Sequence, residues 1–290
     1  MSKKKRKPNS GKYSGKPASS FRFKNILYRK EGWKATITLN RPEVLNALNL
    51  GTLQELGIAF QDVSWDDEIA VVVVTGAGNK AFCTGADMKE WSEDFLNHSN
   101  DFYKWMGTFI ETFERLRTIG KPTIARINGI VVGGGNELQL SCDLAVATDD
   151  IFIKHVGTAR GSVPGAGATQ WLPLVIGDRR AREVLFLDEE IPIAKALEWG
   201  WVNQVVPRKQ LDKAIDIMAE KLYNKLPEVT RYTKQQLNFW RDFSWAMTVG
   251  HLRDWLTVHT SAPEIEEGIR AFVEKRPVDY KKVRETMRKR

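Results

Sequence analysis

A chain of 290 residues that is 42% hydrophobic can bury a sizeable core, as one large domain or a domain with an appendage, which excludes an intrinsically disordered protein. The formal charge of +8 is concentrated at the N-terminus, where Lys3, Lys4, Lys5, Arg6, Lys7, Lys12 and Lys16 supply seven positive charges with no acid among them and leave +1 for the rest. The only cysteines, Cys83 and Cys142, lack paired spacing, no run of ~18 apolar residues is present, and no apolar core follows the lysine cluster. A disulfide framework, a zinc site, a membrane span and secretion are thereby disfavoured, and a reducing cytoplasm is the expected compartment.

In chain order, residues 1–20 are rich in Lys, Ser, Gly and Pro and read as a disordered basic tail. Segment 34–39 alternates at period two and 69–75 is a continuous β-branched run, so both read as strands, the second fully buried. Between them, 53–63 has helical spacing, and 103–116 is a second amphipathic helix stopped by Gly120 and Pro122. Short apolar strands follow at 122–127 and 144–148, separated by a glycine turn and a helix reaching Ser141. This recurrent order argues for an α/β fold. From about residue 193 the texture turns helical, with helices expected over 194–199, 210–224, 230–243, 245–259 and 262–275. The expected division is a tail at 1–20, a core at 21–207 and a helical region at 208–290.

Gly133, Gly134 and Gly135 lead into Asn136 and Glu137, which places a carboxylate two residues beyond backbone amides that no side chain shields. The segment from Ala81 to Asp87 offers a second such amide. Two N–H groups aimed at one point suit chemistry that builds negative charge on a carbonyl oxygen, and a nearby Glu moves the proton. On its own, the glycine cluster also fits a tight turn where a helix packs on a strand. The Gly76–Ala81 stretch matches the dinucleotide fingerprint in form only, because no helix opens at its third position and no acid ends a following strand. Phosphate-loop and Gly-x-Ser-x-Gly patterns are absent.

Taken together, segments 39–48, 81–87, 128–137, 163–170 and 271–275 resemble, in order, the enoyl-CoA hydratase/isomerase, or crotonase, family, from about Phe21 to Lys281. The resemblance implies an α/β crotonase-like spiral of strand-strand-helix turns with a C-terminal helical trimerisation region, assembled as a homotrimer or a dimer of trimers. It implies that the amides of Ala86 and Gly134 hold a thioester oxygen and that Glu137 is the acid-base group. Lys80, Asp87 and Lys89 fall where the family meets coenzyme A, and Phe272 and Lys275 where a neighbouring subunit commonly completes that pocket. Coenzyme A enters as part of the substrate; no metal, flavin or nicotinamide is implied.

The departure from the family matters as much. The common hydratases carry a second glutamate four residues before the glycine that aligns with Gly161, and that position is Gly157. The replacement stretch, with His155, Arg160 and Ser162, is similar to the one in members that form or open rings on CoA thioesters. His155 and Arg160 are therefore candidates to orient water or a second oxygen, and Ser162 to bond a substrate carbonyl. Trp91, Trp105 and Trp171 are candidate pocket walls, since flat rings pack well on alicyclic groups. The expected activity is hydration of an α,β-unsaturated, cyclic or bulky acyl-CoA, with ring-opening hydrolysis of a cyclic β-oxoacyl-CoA as the alternative. A reading of another class is a non-catalytic nucleic-acid-binding or scaffold protein, supported by the basic tail alone.

Overall fold

The computed structural model describes residues 14–289. A hairpin of β1 (Ile26–Glu31) and β2 (Lys34–Leu39) opens it, in register from Ile26 opposite Leu39 to Glu31 opposite Lys34. Next comes α1 (Leu50–Trp65), whose first turn is capped by Asn49: its Oδ1 accepts the Thr52 N–H at 2.8 Å. Three strand-strand-helix units follow. The first is β3 (Val71–Gly76), β4 (Ala81–Cys83), a short turn α2 (Met88–Glu90) continued by a π turn over Trp91–Phe95, and α3 (Ser99–Thr118). The second is β5 (Thr123–Ile127), β6 (Ile130–Val132) and α4 (Gly134–Leu140). The third is β7 (Leu144–Thr148), β8 (Phe152–Lys154), α5 (Ala168–Ile176) and α6 (Asp178–Leu187).

Each unit gives its first strand to one sheet and its second to another. The six-stranded sheet runs β1-β2-β3-β5-β7-β10 and the four-stranded one β4-β6-β8-β9, with β9 (Ile191–Pro192) and β10 (Gln204–Val206) flanking α7 (Ile193–Glu198). Pairing is parallel through β2-β3-β5-β7-β10 and β4-β6-β8. All six residues of β3 are buried because both faces of that sheet are covered. Val72 and Val74 face the main core with Leu56, Phe60 and Phe113, while Val71 and Val73 pack with Leu211 and Ile215 of α8 (Leu211–Tyr223). Helices α9 (Pro227–Leu237), α10 (Phe239–Val258), α11 (Pro263–Val273) and α12 (Tyr280–Arg288) complete the chain. Of these, α10 lies on α3 and α5, and α11 on α2 and the 91–95 turn.

This is the expected spiral of strand-strand-helix turns with a helical C-terminus, and two details differ from the sequence reading. The break expected between 243 and 245 falls instead at Asn238. Residues 239–258 run as one helix because Trp245 is buried in mid-helix, its ring stacked 5.0 Å from that of Trp171. The second difference concerns the tail. Residues 14–20 are not a free segment: the Lys16 N–H donates to Asp62 at 2.7 Å, Lys30 donates to the Lys16 carbonyl, and Ala18 packs on the core. The basic run at 3–12 lies outside the described residues.

The closest backbone approach in the fold brings β4 onto the start of α4. A Cβ placed on Gly135 would meet the Cys83 carbonyl oxygen at 2.2 Å. Gly135→Ala is therefore expected to cost about 1–3 kcal/mol of overpacking and to lower the thermal unfolding midpoint by several degrees. An unchanged midpoint would mean that the two segments separate freely.

Candidate active site

Two loops meet at the ends of β4 and β6. Gly85 sits at φ +84°, and a Cβ there would lie 2.6 Å from the Gly134 nitrogen, so only glycine lets the two turns touch. Ala86 is held by the bonds on either side of it, Leu48 N–H to the Gly85 carbonyl (2.7 Å) and Asp87 N–H to the Leu48 carbonyl (2.9 Å). Gly134 is the first residue of α4, where helix geometry leaves N–H groups outside the ladder. The turn and the helix start thus bring the Gly85 and Gly134 backbones side by side, with Ala86 the next residue along the turn.

Glu137 follows one turn into α4 and is 4% exposed. Its own N–H and that of Gly165 lie near the carboxyl, while Oε2 has no partner among the described residues. Burial pushes its pKa well above the ordinary carboxylate range, against the opposing pull of those two N–H groups. Opposite it stands His155, just past β8 and 2% exposed, with Nε2 3.7 Å from Oε2. Neither ring nitrogen has a partner among the described residues, and burial pushes the imidazole pKa down to about 4. At 3.7 Å, with burial favouring the neutral form of each group, the contact is not an ion pair or a hydrogen bond. The two buried groups, each pushed toward its neutral form, face each other without a hydrogen bond between them. Cys83 lies close by, its thiol raised to about 12 chiefly by burial.

The stretch after His155 is built on one carbonyl. Gly157 O accepts the N–H groups of Arg160 (3.0 Å) and Ser162 (2.9 Å), closing a tight turn. A Cβ on Gly157 would come within 2.7 Å of the Ser162 carbonyl oxygen and 3.0 Å of the Pro164 ring. The segment also packs backbone to backbone on α11: a Cβ on Gly161 would lie 2.6 Å from the Glu264 carbonyl oxygen. Ser162 is half-buried, and Arg160 lays its guanidinium 5.5 Å over the ring of Phe272 from the same chain. Phe272, expected from a neighbouring subunit, therefore already touches the site segment of its own chain.

The other expected residues divide. Trp91 and Trp105 are buried, edge-to-face at 5.3 Å, and Trp105 continues to Phe109 (5.4 Å, stacked). The Phe109 ring lies 3.4 Å from where a Cβ of Gly134 would be, so these aromatics form a contiguous wall ending at the glycine turn. Phe109 went unnoticed in the sequence, although Phe102, Trp105, Phe109 and Phe113 recur at helical spacing. Trp171 belongs elsewhere: one contact is Trp245, another is Arg241 at 5.5 Å, and its Nε1 donates to the Arg241 carbonyl, which places it in helix packing between α5 and α10. Asp87 is engaged within its own chain. Its Oδ1 caps α2 through the Lys89 and Glu90 N–H groups, and its Oδ2 accepts from Arg41 at 2.9 Å, so both oxygens are engaged within the chain. Lys80 and Lys89 are exposed on either side of the β4-to-α2 loop, Lys89 only 3.8 Å from Glu93, and Lys275 is exposed at the end of α11 with φ +53°.

The sequence matches the family described as enoyl-CoA hydratase/isomerase over residues 31–283. A short-chain enoyl-CoA hydratase of Clostridium acetobutylicum is 32% identical over 255 residues, 88% of this chain and 97% of that protein. An enoyl-CoA hydratase crystal structure from Bacillus anthracis superposes with a TM-score of 0.71 at 32% identity, covering 89% of this chain and 99% of that one. One from Mycobacterium avium subsp. paratuberculosis reaches 0.81 at 23% identity, over 89% and 99%, a likeness of fold.

Two outcomes are expected from this geometry. The crowding at residue 157 begins at Cβ and is against backbone, so Gly157→Ala should lower the thermal midpoint nearly as much as Gly157→Glu; a neutral alanine variant would show that the turn has room. Because Glu137 has a raised pKa in the folded state, its contribution to stability is complete below about pH 4 and is lost as pH rises toward the folded value. Glu137→Gln has no such loss, so its thermal midpoint relative to wild type should climb between pH 4 and pH 8. A constant difference would contradict the raised pKa.

Proposed function

The chain belongs to the enoyl-CoA hydratase/isomerase family, and we propose that it adds water to an α,β-unsaturated acyl-CoA whose acyl group is cyclic or bulky. The observation that carries the reading is the meeting of Gly85–Ala86 with Gly134 beside a buried Glu137 whose Oε2 is unsatisfied and faced by His155. Named hydratases among the relatives support the reaction type.

In this mechanism the thioester oxygen accepts from the Ala86 and Gly134 N–H groups. Each such donor is typically worth about 3 kcal/mol as charge develops on the oxygen. Glu137 takes one proton from water while the hydroxyl oxygen bonds to Cβ, and the electron pair of the double bond moves to the enolate. The same carboxyl returns the proton to Cα, so the balance is one water added and no net change in the protein. A pKa raised toward the working pH makes Glu137 an effective base when ionised and an effective acid when protonated. His155, neutral at pH 7 because its pKa is held down near 4, orients the water opposite Glu137 without competing for the proton. Gly157 sits in a turn too tight for the second glutamate of the common hydratases, which supports one carboxyl with an imidazole partner over two carboxyls. The Trp91, Trp105 and Phe109 wall favours a flat or alicyclic acyl group.

Coenzyme A contacts are assigned to Lys80, Lys89, Phe272 and Lys275, which are all exposed, Lys80 and Lys89 on either side of the β4-to-α2 loop and Phe272 against Arg160. A homotrimer or dimer of trimers is supported by the apolar residues that the C-terminal helices leave uncovered, among them Leu226, Val229, Leu237, Phe239 and Trp240. Among the described residues no helix is long and apolar enough to cross a membrane, in keeping with a cytoplasmic enzyme. The second reading, hydrolytic opening of a cyclic β-oxoacyl-CoA, draws on the same His155–Glu137 pair: water attacks the ring ketone and the departing carbanion is the thioester enolate.

Purified protein incubated separately with crotonyl-CoA, with a cyclic dienoyl-CoA and with a cyclic β-oxoacyl-CoA separates these readings by mass spectrometry, with esterification to count free carboxyls. A ring-intact water adduct from the cyclic substrate is expected. A new free carboxyl from a cyclic β-oxoacyl-CoA would select the ring-opening reading, and rapid hydration of crotonyl-CoA would remove the cyclic preference. Glu137→Gln should lower kcat by about 10²–10⁴-fold with little change in thioester binding; lost binding instead would make Glu137 structural.

A further inference from the structure

Asn136 separates the three glycines from Glu137, and it is fully buried although polar. A buried amide needs partners. Its Nδ2 donates to the Lys154 carbonyl at 2.8 Å, whereas its Oδ1 has no partner among the described residues. The same carbonyl accepts the Gly133 N–H at 3.1 Å. Lys154 ends β8 and pairs with Val132 in the last rung of the β6–β8 ladder, so these two bonds carry the connection one step past the ladder's end. The next residue is His155. With neither ring nitrogen hydrogen-bonded among the described residues, its imidazole is held only by packing and by where its backbone emerges.

We propose that Asn136 is a positioning residue, whose Nδ2 bond to the Lys154 carbonyl clamps the end of β8 onto α4 and sets the spacing between His155 and Glu137. The proposal rests on the reading in which those two groups face the reacting water. Its geometry is that of two adjacent rungs: Asn136 and Glu137 are neighbours on one segment, Lys154 and His155 on the other. The hydrogen bond closes the first rung, and the 3.7 Å approach is the second. Opening the first loosens the second, and a leucine at 136 fills a similar volume but leaves the carbonyl with one donor instead of two.

The test is a titration of the full chain labelled with [15N]histidine. The chain has four histidines, and His155 is assigned from the signal missing in His155→Asn. In the wild type His155 is expected to titrate near 4. In Asn136→Ala and Asn136→Leu its midpoint should rise by roughly one pH unit or more as water reaches the ring. Ser141→Ala, which removes the bond from Ser141 Oγ to the Glu137 carbonyl within the same helix, should leave it in place. An unchanged midpoint in Asn136→Leu, or an equal shift in Ser141→Ala, overturns the proposal. So does failure of both Asn136 variants to fold, which would make the bond a requirement of the fold.

Kinetics on the cyclic substrate give the second arm. Asn136→Leu should lower kcat about 10-fold or more with KM little changed, since misplacement of a reacting group acts on the chemical step. In a His155→Ala background it should add no further loss, and additive losses would also overturn the proposal. If His155→Ala leaves turnover untouched, the role of His155 in the chemistry falls, while the titration still decides whether Asn136 positions it.

Discussion

The constraint on which the rest of the site depends is the contact of two pieces of main chain, Cys83–Gly85 and Gly133–Gly135, with nothing between them. A Cβ on Gly85 would lie 2.6 Å from the Gly134 nitrogen, and one on Gly135 would lie 2.2 Å from the Cys83 carbonyl oxygen. Side chains at either position would push β4 away from α4. That separation would move the Ala86 backbone from the start of α4 and open the interior around Glu137 to water. The parallel β4-β6-β8 ladder feeds this contact, because the chain crosses at the ends of β4 and β6 and returns at the end of β8 with His155. Three successive strand-strand-helix units deliver three successive parts of one site.

Burial then sets the protonation of what that contact encloses. The same dry environment raises an acid and lowers a base, so it drives Glu137 and His155 toward their neutral forms together. Their close approach at 3.7 Å therefore stores no ion pair. It leaves one unsatisfied carboxyl oxygen and two unsatisfied ring nitrogens, and groups of this kind are costly unless something polar arrives between them. In the proposed reaction a water between them supplies those partners. A charged pair in the same place would hold each other instead of that water.

Much of this was legible in the sequence because its signals are local. The buried β-branched run at 71–74 and the glycines at 133–135 with Glu137 two positions on are read directly from residue types, and the departure at Gly157 from the family resemblance. What escaped depends on partners distant in the chain. Helix α10 looked like two helices because the Trp171 ring that buries Trp245 lies 74 positions earlier. Asp87 looked free to meet a ligand until Arg41, 46 residues before it, was seen to occupy one oxygen. Asn136 carries no signal of its own in the sequence because its partner, the Lys154 carbonyl, is a backbone atom that any residue would provide. The 14–20 segment read as tail because its anchors, Asp62 and Lys30, lie elsewhere.

Gly157 shows how a single departure from a family pattern propagates. Read as a sequence, it is one carboxylate fewer, a loss that substitution could restore. In the fold it is the pivot of a turn in which its carbonyl takes two N–H groups and its α-carbon lies against the Ser162 carbonyl and the Pro164 ring. The turn in turn lets Gly161 seat against the backbone of α11, which brings Arg160 over Phe272. A glutamate at 157 requires the turn to open, and opening it detaches α11 from the segment that follows His155. The absence of the second carboxylate and the close seating of α11 are thus one structural choice, which leaves Glu137 faced by His155 and by no second carboxylate from residue 157.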